Sequence, residues 1–303
     1  MLKWLLYMYK KTFRIFTIKN IDGKHVVIIP CNAESKSIKK WFPHLATILY
    51  NQNCNKVVLS KTLKQAEGIK EAIYKENVKI LDGSILKQNM LIKIVEYISN
   101  ELNVELKNTE ITLLVNEYKK AHIERIISLA EKAKNIKIVT NNIEEFKSLE
   151  QKLQERFGIL IRLTNNKRKG LVNSNIIINL DFPEELVNKY TINPDAIVVN
   201  LESAVKIKYK KFSGINANNI KINLPKQYRV EFEKANIYND FEESELYEAE
   251  LIDMGFEEVQ QKLKTDKVYV KGLIGKNGII DKKEFKEKCE IYVKTIDKMS
   301  ILN

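Results

Sequence analysis

The sequence predicts an α/β protein with two domains, a Rossmann-like doubly wound parallel sheet preceded by a smaller α/β domain. Two observations predict it. Short, nearly continuous apolar runs recur along the middle of the chain, among them residues 111–116, 136–140 and 196–200. A strand apolar on both sides has both faces covered, which is the condition of a parallel sheet between helix layers. Between those runs lie amphipathic stretches of helical period, long enough to be the crossovers that parallel strands need. The 303 residues are enough for two domains of ordinary size, and five prolines and ten glycines imply regular elements with short loops.

Taken in order, "TFRIFTIKNIDGKHVVIIP" reads as a hairpin. Phe13 and Ile15 alternate with polar residues, Asp22-Gly23 supplies the turn, and His25 to Ile29 return. Residues 35–51 carry Ile38, Trp41, Phe42, Leu45 and Ile48 at helical spacing. A strand at 56–60, a helix at 62–75, a strand at 78–82 and a long helix at about 84–103 complete a first domain over 1–105. The second domain, 106–203, alternates more cleanly. Strand 111–116 leads to helix 120–134, strand 136–140 to helix 143–156, and strand 159–163 to a basic crossover, "TNNKRKGLVNS". Strand 175–180, a short helix after Pro183 and strand 196–200 follow. Right-handed crossovers then place one ligand crevice beyond the carboxyl ends of the strands. In the last segment, 204–303, Val205, Ile207 and Tyr209 alternate with Lys206, Lys208 and Lys210, as in a half-buried strand with a basic face. "INANNIKINLP" holds a candidate strand, an acidic helix is expected over about 242–263, and 267–280 reads as a hairpin turning on glycines.

The formal charge is +12, carried mainly by dispersed lysines, so a solvated surface is the favoured reading over a nucleic-acid or anionic-membrane footprint. One contrast is local. Residues 206–229 hold seven basic side chains and no acid, whereas 231–258 hold eleven acids and one lysine. The two stretches either face each other or point at different partners. Cys31, Cys54 and Cys289 are odd in number and far apart, which predicts reduced thiols in a cytoplasmic protein and excludes a zinc pattern or a disulfide framework. His25, His44 and His122 form no ligand pair at helical spacing. No apolar run reaches the roughly 18 residues of a membrane span. The N-terminal "MLKWLLYMYKK" is too short a core for a secretion signal and reads as a docked terminal helix before an interfacial anchor. "GLIGKNG" lacks the lysine-hydroxyl ending of a phosphate loop.

"ITLLVNEYKKAHIERIISLA", from Ile111 to Ala130, is the strand–turn–helix with which a dinucleotide-binding domain begins. With "VTNN" at 139–142 and "SNIIINLDFPEE" at 174–185, it resembles the NAD(P)-binding domain of the shikimate dehydrogenase and glutamyl-tRNA reductase group. The resemblance covers about 90 residues, Ile111 to Asn200. It implies that Thr140, Asn141 and Asn142 stand where that group reads the adenosine ribose or its phosphate. Asn179, Asp181 and Pro183 then match the group's later strand end. The chain departs from the group at the first turn, Asn116-Glu117-Tyr118-Lys119-Lys120, which has no glycine. Glycine there lets backbone N–H groups and a helix N-terminus approach a pyrophosphate. Glu117 instead brings a negative charge toward two phosphates, which Lys119 and Lys120 offset only electrostatically.

The group's catalytic lysine and aspartate have no motif match; Lys61 and Asp82 merely sit near strand ends. Cys31 follows a strand without a base at readable spacing, and a structural thiol is the favoured reading. Lys167 and Arg168, near the expected crevice mouth, are candidates for contact with a phosphate or other anion. Glu184 and Glu185 are explained by the start of a helix. The leading expectation is a dehydrogenase-related protein with a degenerate nucleotide site and a binding or regulatory role. The alternatives are an NAD(P)-dependent oxidoreductase, with NADP or NAD framed by Asn116, Thr140, Asn141, Asn142, Asn179 and Asp181, and a basic scaffold. The scaffold's nucleic-acid, protein or membrane partner would meet Lys206, Lys208, Lys210 and Lys211. Whether the protein is an enzyme is left open by the sequence.

Overall fold

The computed structural model describes residues 17–21, 24–29, 39–159 and 161–288. Its chain is shared between two units, Met1–Gly83 with Leu224–Ile252, and Ser84–Asn223 with Asp253–Asn303. The expectations for residues 1–11, Phe13, Ile15, the Asp22-Gly23 turn, Cys31 and Cys289 lie outside the described residues.

The first unit holds an antiparallel hairpin, β1 (Thr17–Ile21) with β2 (Lys24–Ile28), and a parallel pair, β3 (Lys56–Val58) with β4 (Lys79–Leu81). Helix Phe42–Asn51 precedes β3. The stretch read as one helix over 62–75 is two, Lys61–Lys64 and Ile69–Lys75, because Gly68 takes a left-handed φ of 80° between them. The Ser60 hydroxyl accepts from the Leu63 amide and starts the first. Leu49, Leu59, Ala66, Ile69, Ile73 and Val78 form the core.

The unit is completed by helices Lys226–Lys234 and Glu243–Glu248. Here the acidic stretch finds its partners. Glu250 meets Lys24 at 2.6 Å, Glu242 meets Lys61 at 3.5 Å, and Glu245 pairs with Lys64. The two stretches meet at one place, where Arg229 pairs with Glu233 at 2.7 Å, while Glu242, Glu245 and Glu250 pair with lysines of the earlier part of the first unit. The boundaries read from the sequence, 105/106 and 203/204, differ from these. Composition does not change at Gly83, and the two helices that follow it, Ser84–Asn89 and Leu91–Leu102, bury Leu86, Met90, Ile94, Val95 and Ile98 completely within the second unit.

The second unit is built on a parallel sheet of β5 (Glu110–Leu114), β6 (Asn135–Val139), β7 (Arg162–Thr164), β8 (Ile176–Asn179), β9 (Ile197–Asn200) and β10 (Ile215–Ala217). The spatial order is β10-β9-β8-β5-β6-β7. Counted from β5, this is 6-5-4-1-2-3, the doubly wound order of a Rossmann sheet, and the fold class is as the sequence predicts. β8 and β9 are buried along their whole length. Each fully buried aliphatic side chain contributes on the order of 1.5–3 kcal/mol, so these runs stabilise the sheet substantially. The order reverses between β5 and β8, and helices Lys120–Ala130 and Ile143–Phe157 follow β5 and β6. Gly214 enters β10 so closely under the preceding loop that a Cβ there would lie 2.2 Å from the Ala196 carbonyl oxygen.

A small antiparallel sheet of β11 (Asn219–Ile222), β12 (Val270–Gly275) and β13 (Gly278–Ile279) completes the unit with helix Phe256–Thr265. The stretch 205–210 is not a strand. Val205 is buried, with Ile207 and Phe212 packed on the same core, so the alternation is real. Its backbone, however, bonds to side chains. Lys206 N donates to Glu184, Lys208 N donates to Asn188 Oδ1, and the Asn188 amide donates back to the Lys206 carbonyl. The expected acidic helix over 242–263 is broken before Gly255, whose amide donates to the Glu258 carboxylate as the next helix begins.

Candidate functional site

In a doubly wound sheet the ligand crevice lies beyond the carboxyl ends of the strands where the order reverses. In this chain that place is the turn after β5 and the turn after β8. β5 ends on the buried Leu114, the buried Val115 follows, and the turn begins at Asn116. The amides of Asn116 and Glu117 point at the Asp181 carboxylate, with Asn116 N to Oδ1 at 2.5 Å and Glu117 N to Oδ2 at 2.9 Å. Two backbone donors thus hold the two oxygens of one carboxylate, the arrangement that suits an anion at the start of a helix.

Three further contacts fix this turn. The Asn142 side-chain amide donates to the Asn116 carbonyl at 2.8 Å. Tyr118 Oη lies 3.2 Å from Ser148 Oγ, and its ring meets Phe146 edge-on. Glu117 pairs with Lys119 at 2.8 Å, and that hydrogen bond raises the Lys119 pKa above its ordinary value.

Behind the turn stands His122, three residues into helix Lys120–Ala130. Its Nε2 is 3.4 Å from Asp181 Oδ2, both side chains are 3% exposed, and neither ring nitrogen has an aligned hydrogen bond among the described residues. Arg125 follows one turn later on the same face. It is buried, its Nη2 reaches Asn89 Oδ1 at 3.4 Å, and its Nε and Nη1 have no partner among the described residues. Burial pushes its guanidinium below the ordinary value.

The carboxyl ends of β8, β9 and β10 carry a row of asparagines. Asn179 Nδ2 donates to Asn200 Oδ1 at 3.0 Å, and Asn200 Nδ2 donates to Asn216 Oδ1 and Asn218 Oδ1 at 2.9 and 3.0 Å. Asn179 also closes the turn after β8, accepting from Phe182 N and donating to the Phe182 carbonyl. The buried Lys87 donates to the Asn218 carbonyl at 3.0 Å. These amides spend their hydrogen bonds on one another and on the backbone.

Of the residues singled out from the sequence, Asn116 meets both Asp181 and Asn142, and Asn179 lies two residues before Asp181 in a separate network. Thr140 is wholly buried and accepts from Asn142 N at 3.0 Å, while Asn141 is exposed. Lys167 and Arg168 are exposed on a loop shaped by Asn166, whose Oδ1 accepts from the amides of Arg168 and Lys169. The Lys167 carbonyl accepts from Thr191 N, and no described contact joins this loop to the Asn116–Glu117 turn. Lys206, Lys208, Lys210 and Lys211 are exposed, and Lys208 is paired with Glu184 at 2.9 Å. His122 and Arg125 were missed by motif reading. Their signal was position, because both stand on the buried stripe of their helix with Ile126 and Leu129. Among the described residues no cluster of three His, Cys, Asp or Glu side chains fits a metal ion, and no helix is long and apolar enough to cross a membrane.

No protein-family model matches this sequence, and no curated protein matches it. Solved structures do align with it. The A chain of dipicolinate synthase from Bacillus subtilis is 11% identical with a TM-score of 0.34, over 70% of this chain and 65% of that one. A shikimate dehydrogenase solved with NADP+ is 17% identical with a TM-score of 0.31, over 57% and 62%. L-tryptophan dehydrogenase from Nostoc punctiforme is 9% identical with a TM-score of 0.35, over 80% and 68%. The chain spans less than two thirds of the length of the first two.

Proposed function

We propose that this chain is a binding or regulatory protein on a dehydrogenase-related fold, with a degenerate nucleotide site rather than an oxidoreductase's cofactor site. One observation carries the reading. The Asp181 carboxylate occupies the amides of Asn116 and Glu117, the donors that a Rossmann turn offers to a pyrophosphate. An anion bound there must displace a covalently tethered anion and then face the Glu117 charge. Like charges a few ångströms apart cost on the order of 1 kcal/mol in water and several where water is excluded. The turn is also tied down by Asn142, the residue that the family resemblance assigns to the ribose side of the cofactor. The resident carboxylate thus acts as a built-in substitute for the phosphate.

The test is thermal unfolding of the full chain with NADP or NAD at about 1 mM. A ligand at 100 times its dissociation constant stabilises by about 2.7 kcal/mol, and with an unfolding entropy of about 2.1 cal/mol/K per residue this is a midpoint shift of roughly 4 °C for 303 residues. The expected result is no shift with either cofactor. A shift that disappears in Asn141→Ala overturns the reading and makes the chain a cofactor-binding enzyme candidate.

A further inference from the structure

We infer that the second unit binds the phosphodiester backbone of nucleic acid, on a basic face made by the three segments that lead from β7 to β8, from β8 to β9 and from β9 to β10. The sequence keeps these basic residues in separate stretches, and the fold brings them together. The middle segment lies between the other two and is bonded to both. On one side Thr191 N donates to the Lys167 carbonyl at 2.8 Å and Asn193 N to the Leu171 carbonyl at 3.1 Å. On the other, the Asn188 side chain donates to the Lys206 carbonyl at 2.9 Å and accepts from Lys208 N at 2.7 Å. Ser213 N donates to the Pro194 carbonyl at 2.8 Å.

All three segments spend their apolar residues on one core. Leu171, Val187, Tyr190, Ile192 and Val205 are buried in the same cluster, with Ile207 and Phe212 packed against it. The basic side chains between them are left outside, and Lys206, Lys208 and Lys210 alternate in exposure with Ile207 and Tyr209. Among the described residues, Lys167, Arg168, Lys169, Lys189, Lys210 and Lys211 are exposed and have no ion pair. Acids on these segments do not offset them. Asp181 is held by the Asn116 and Glu117 amides, and Glu184 accepts from Lys206 N and pairs with Lys208. Asp195 accepts from Ser213 Oγ at 2.9 Å, Glu202 stands close enough to Lys119 to raise its pKa, and Glu185 acts on Lys208.

Unpaired cations spread over three adjoining segments make a surface rather than a pocket, and such a surface attracts an extended polyanion. All but Arg168 are lysines, point charges that hold phosphates without the bidentate fork of arginine. The helix on this face, Glu184–Val187, has four residues and is too short to lie along a major groove, so the contacts are to phosphates and not to base edges. An anionic membrane suits the face less well. Interfacial binding gains from apolar side chains that insert, and Ile207 and Phe212 are committed to the core. The face does not depend on the turn after β5 and stands whether or not that turn takes a nucleotide.

The experiment is fluorescence anisotropy of the full chain with labelled oligouridylate or oligothymidylate, with salt raised from about 50 to about 200 mM, and with phosphatidylserine vesicles as competitor. Each phosphate contact on a single strand contributes about −0.7 to the slope of log K against log salt, so contacts from all the unpaired cations predict a slope of about −4, an affinity loss of roughly a few hundred-fold over that range. Lys167→Gln/Arg168→Gln/Lys169→Gln, on the first segment, should move the slope toward zero by about 2, and Lys210→Gln/Lys211→Gln, on the third, by about 1.4. Lys70→Gln/Lys75→Gln, at exposed positions in the first unit, removes as much charge as the second variant and should leave the slope unchanged. Tighter binding of one polymer names RNA or DNA as the source of the backbone. If a variant loses its circular dichroism, acetylation of the wild-type chain read by mass spectrometry decides, with Lys169, Lys189 and Lys210 protected by the bound strand and Lys75 not. Absence of binding to either strand, equal effects of the face and control variants, unprotected face lysines, or capture of the chain from the strand by vesicles at equal phosphate concentration overturns the proposal.

Discussion

Asp181 is the side chain on which the turn after β5 depends. It accepts two backbone amides, and hydrogen bonds to a charged group contribute about 1.5–3 kcal/mol each. Asp181→Ala is therefore expected to cost about 3–5 kcal/mol in urea unfolding, and Asp181→Asn clearly less, because one amide oxygen still accepts. A loss below about 1 kcal/mol for Asp181→Ala would show that the turn holds itself. Arg125 argues the opposite way. Its guanidinium is buried, and among the described residues two of its nitrogens have no partner and the third meets only a neutral amide, which leaves a buried charge costly. Arg125→Met keeps the length and apolar stem and is expected to raise stability by about 1 kcal/mol or more; a destabilised variant would contradict this. The sequence made Asp181, Asn116 and Asn142 visible as polar residues at strand ends. It did not disclose that they bond to one another, because a carboxylate offered to a ligand and one used by the fold have the same residue type and spacing. His122 and Arg125 were hidden for the converse reason, since a polar residue on an apolar stripe carries no motif.

At the scale of elements, the continuous apolar runs marked five of the six strands of the parallel sheet, because burial on both faces favours apolar residues, whereas β10, with Asn216 at its centre, carries no such run. Breaks inside helices were less legible. Gly68 and Gly255 each divide a stretch that reads as one helix, and the lysines of 205–210 imitate a strand whose hydrogen bonds go to Glu184 and Asn188 instead. Gly214 gives the entry to β10 a sharp test. Gly214→Ala drives a methyl group into the Ala196 carbonyl, and overpacking of this kind costs about 1–3 kcal/mol. A variant within 0.5 kcal/mol of the wild type, taken as about the error of such comparisons, would mean that the loop before β9 moves freely aside. Helix Glu243–Glu248 gives a pH test. Burial raises the Glu245 pKa above the usual carboxylate range, outweighing the hydrogen bond and charge of Lys64, which lower it. A raised folded-state pKa means that the folded protein holds this proton more tightly. Its contribution is complete below the ordinary value of 4.5 and is lost as pH rises through the folded-state value. Glu245→Gln should flatten the fall in stability on going upward from pH 4.5; an unchanged profile would assign that fall to other groups.

At the scale of the whole molecule the two units differ in how completely they close their interiors. The second buries β8 and β9 whole and β5 in all but its first residue, whereas the first leaves β2 and β3 half-open. Regions with few buried apolar contacts open at lower free energy. Amide hydrogen exchange should therefore be slowest in β5, β8 and β9 and markedly faster in β2 and β3. Equal protection in both sets would contradict the packing contrast. The net charge of +12 is the other global property, and part of the basic stretch is already engaged, Lys208 by Glu184.

The path of the chain through its two units has a consequence for how the protein comes to be made. The first unit is finished only at Ile252, because Leu224–Ile252 supplies two of its helices and three of its ion-pairing carboxylates. Between Gly83 and Ile252 lie 252 − 83 = 169 residues of further synthesis. At about 5–20 residues per second the nascent first unit waits roughly 8–34 s for its last piece. Throughout that interval the valines of β2 and β3 lack the walls that Phe232 and Leu246 provide. The second unit is likewise interrupted at Asn223 and resumes at Asp253, so neither finishes before the other has nearly emerged. Maturation is thus expected to be post-translational and to depend on protection from a chaperone, and an expression fragment that stops at residue 83 should aggregate where the full chain does not.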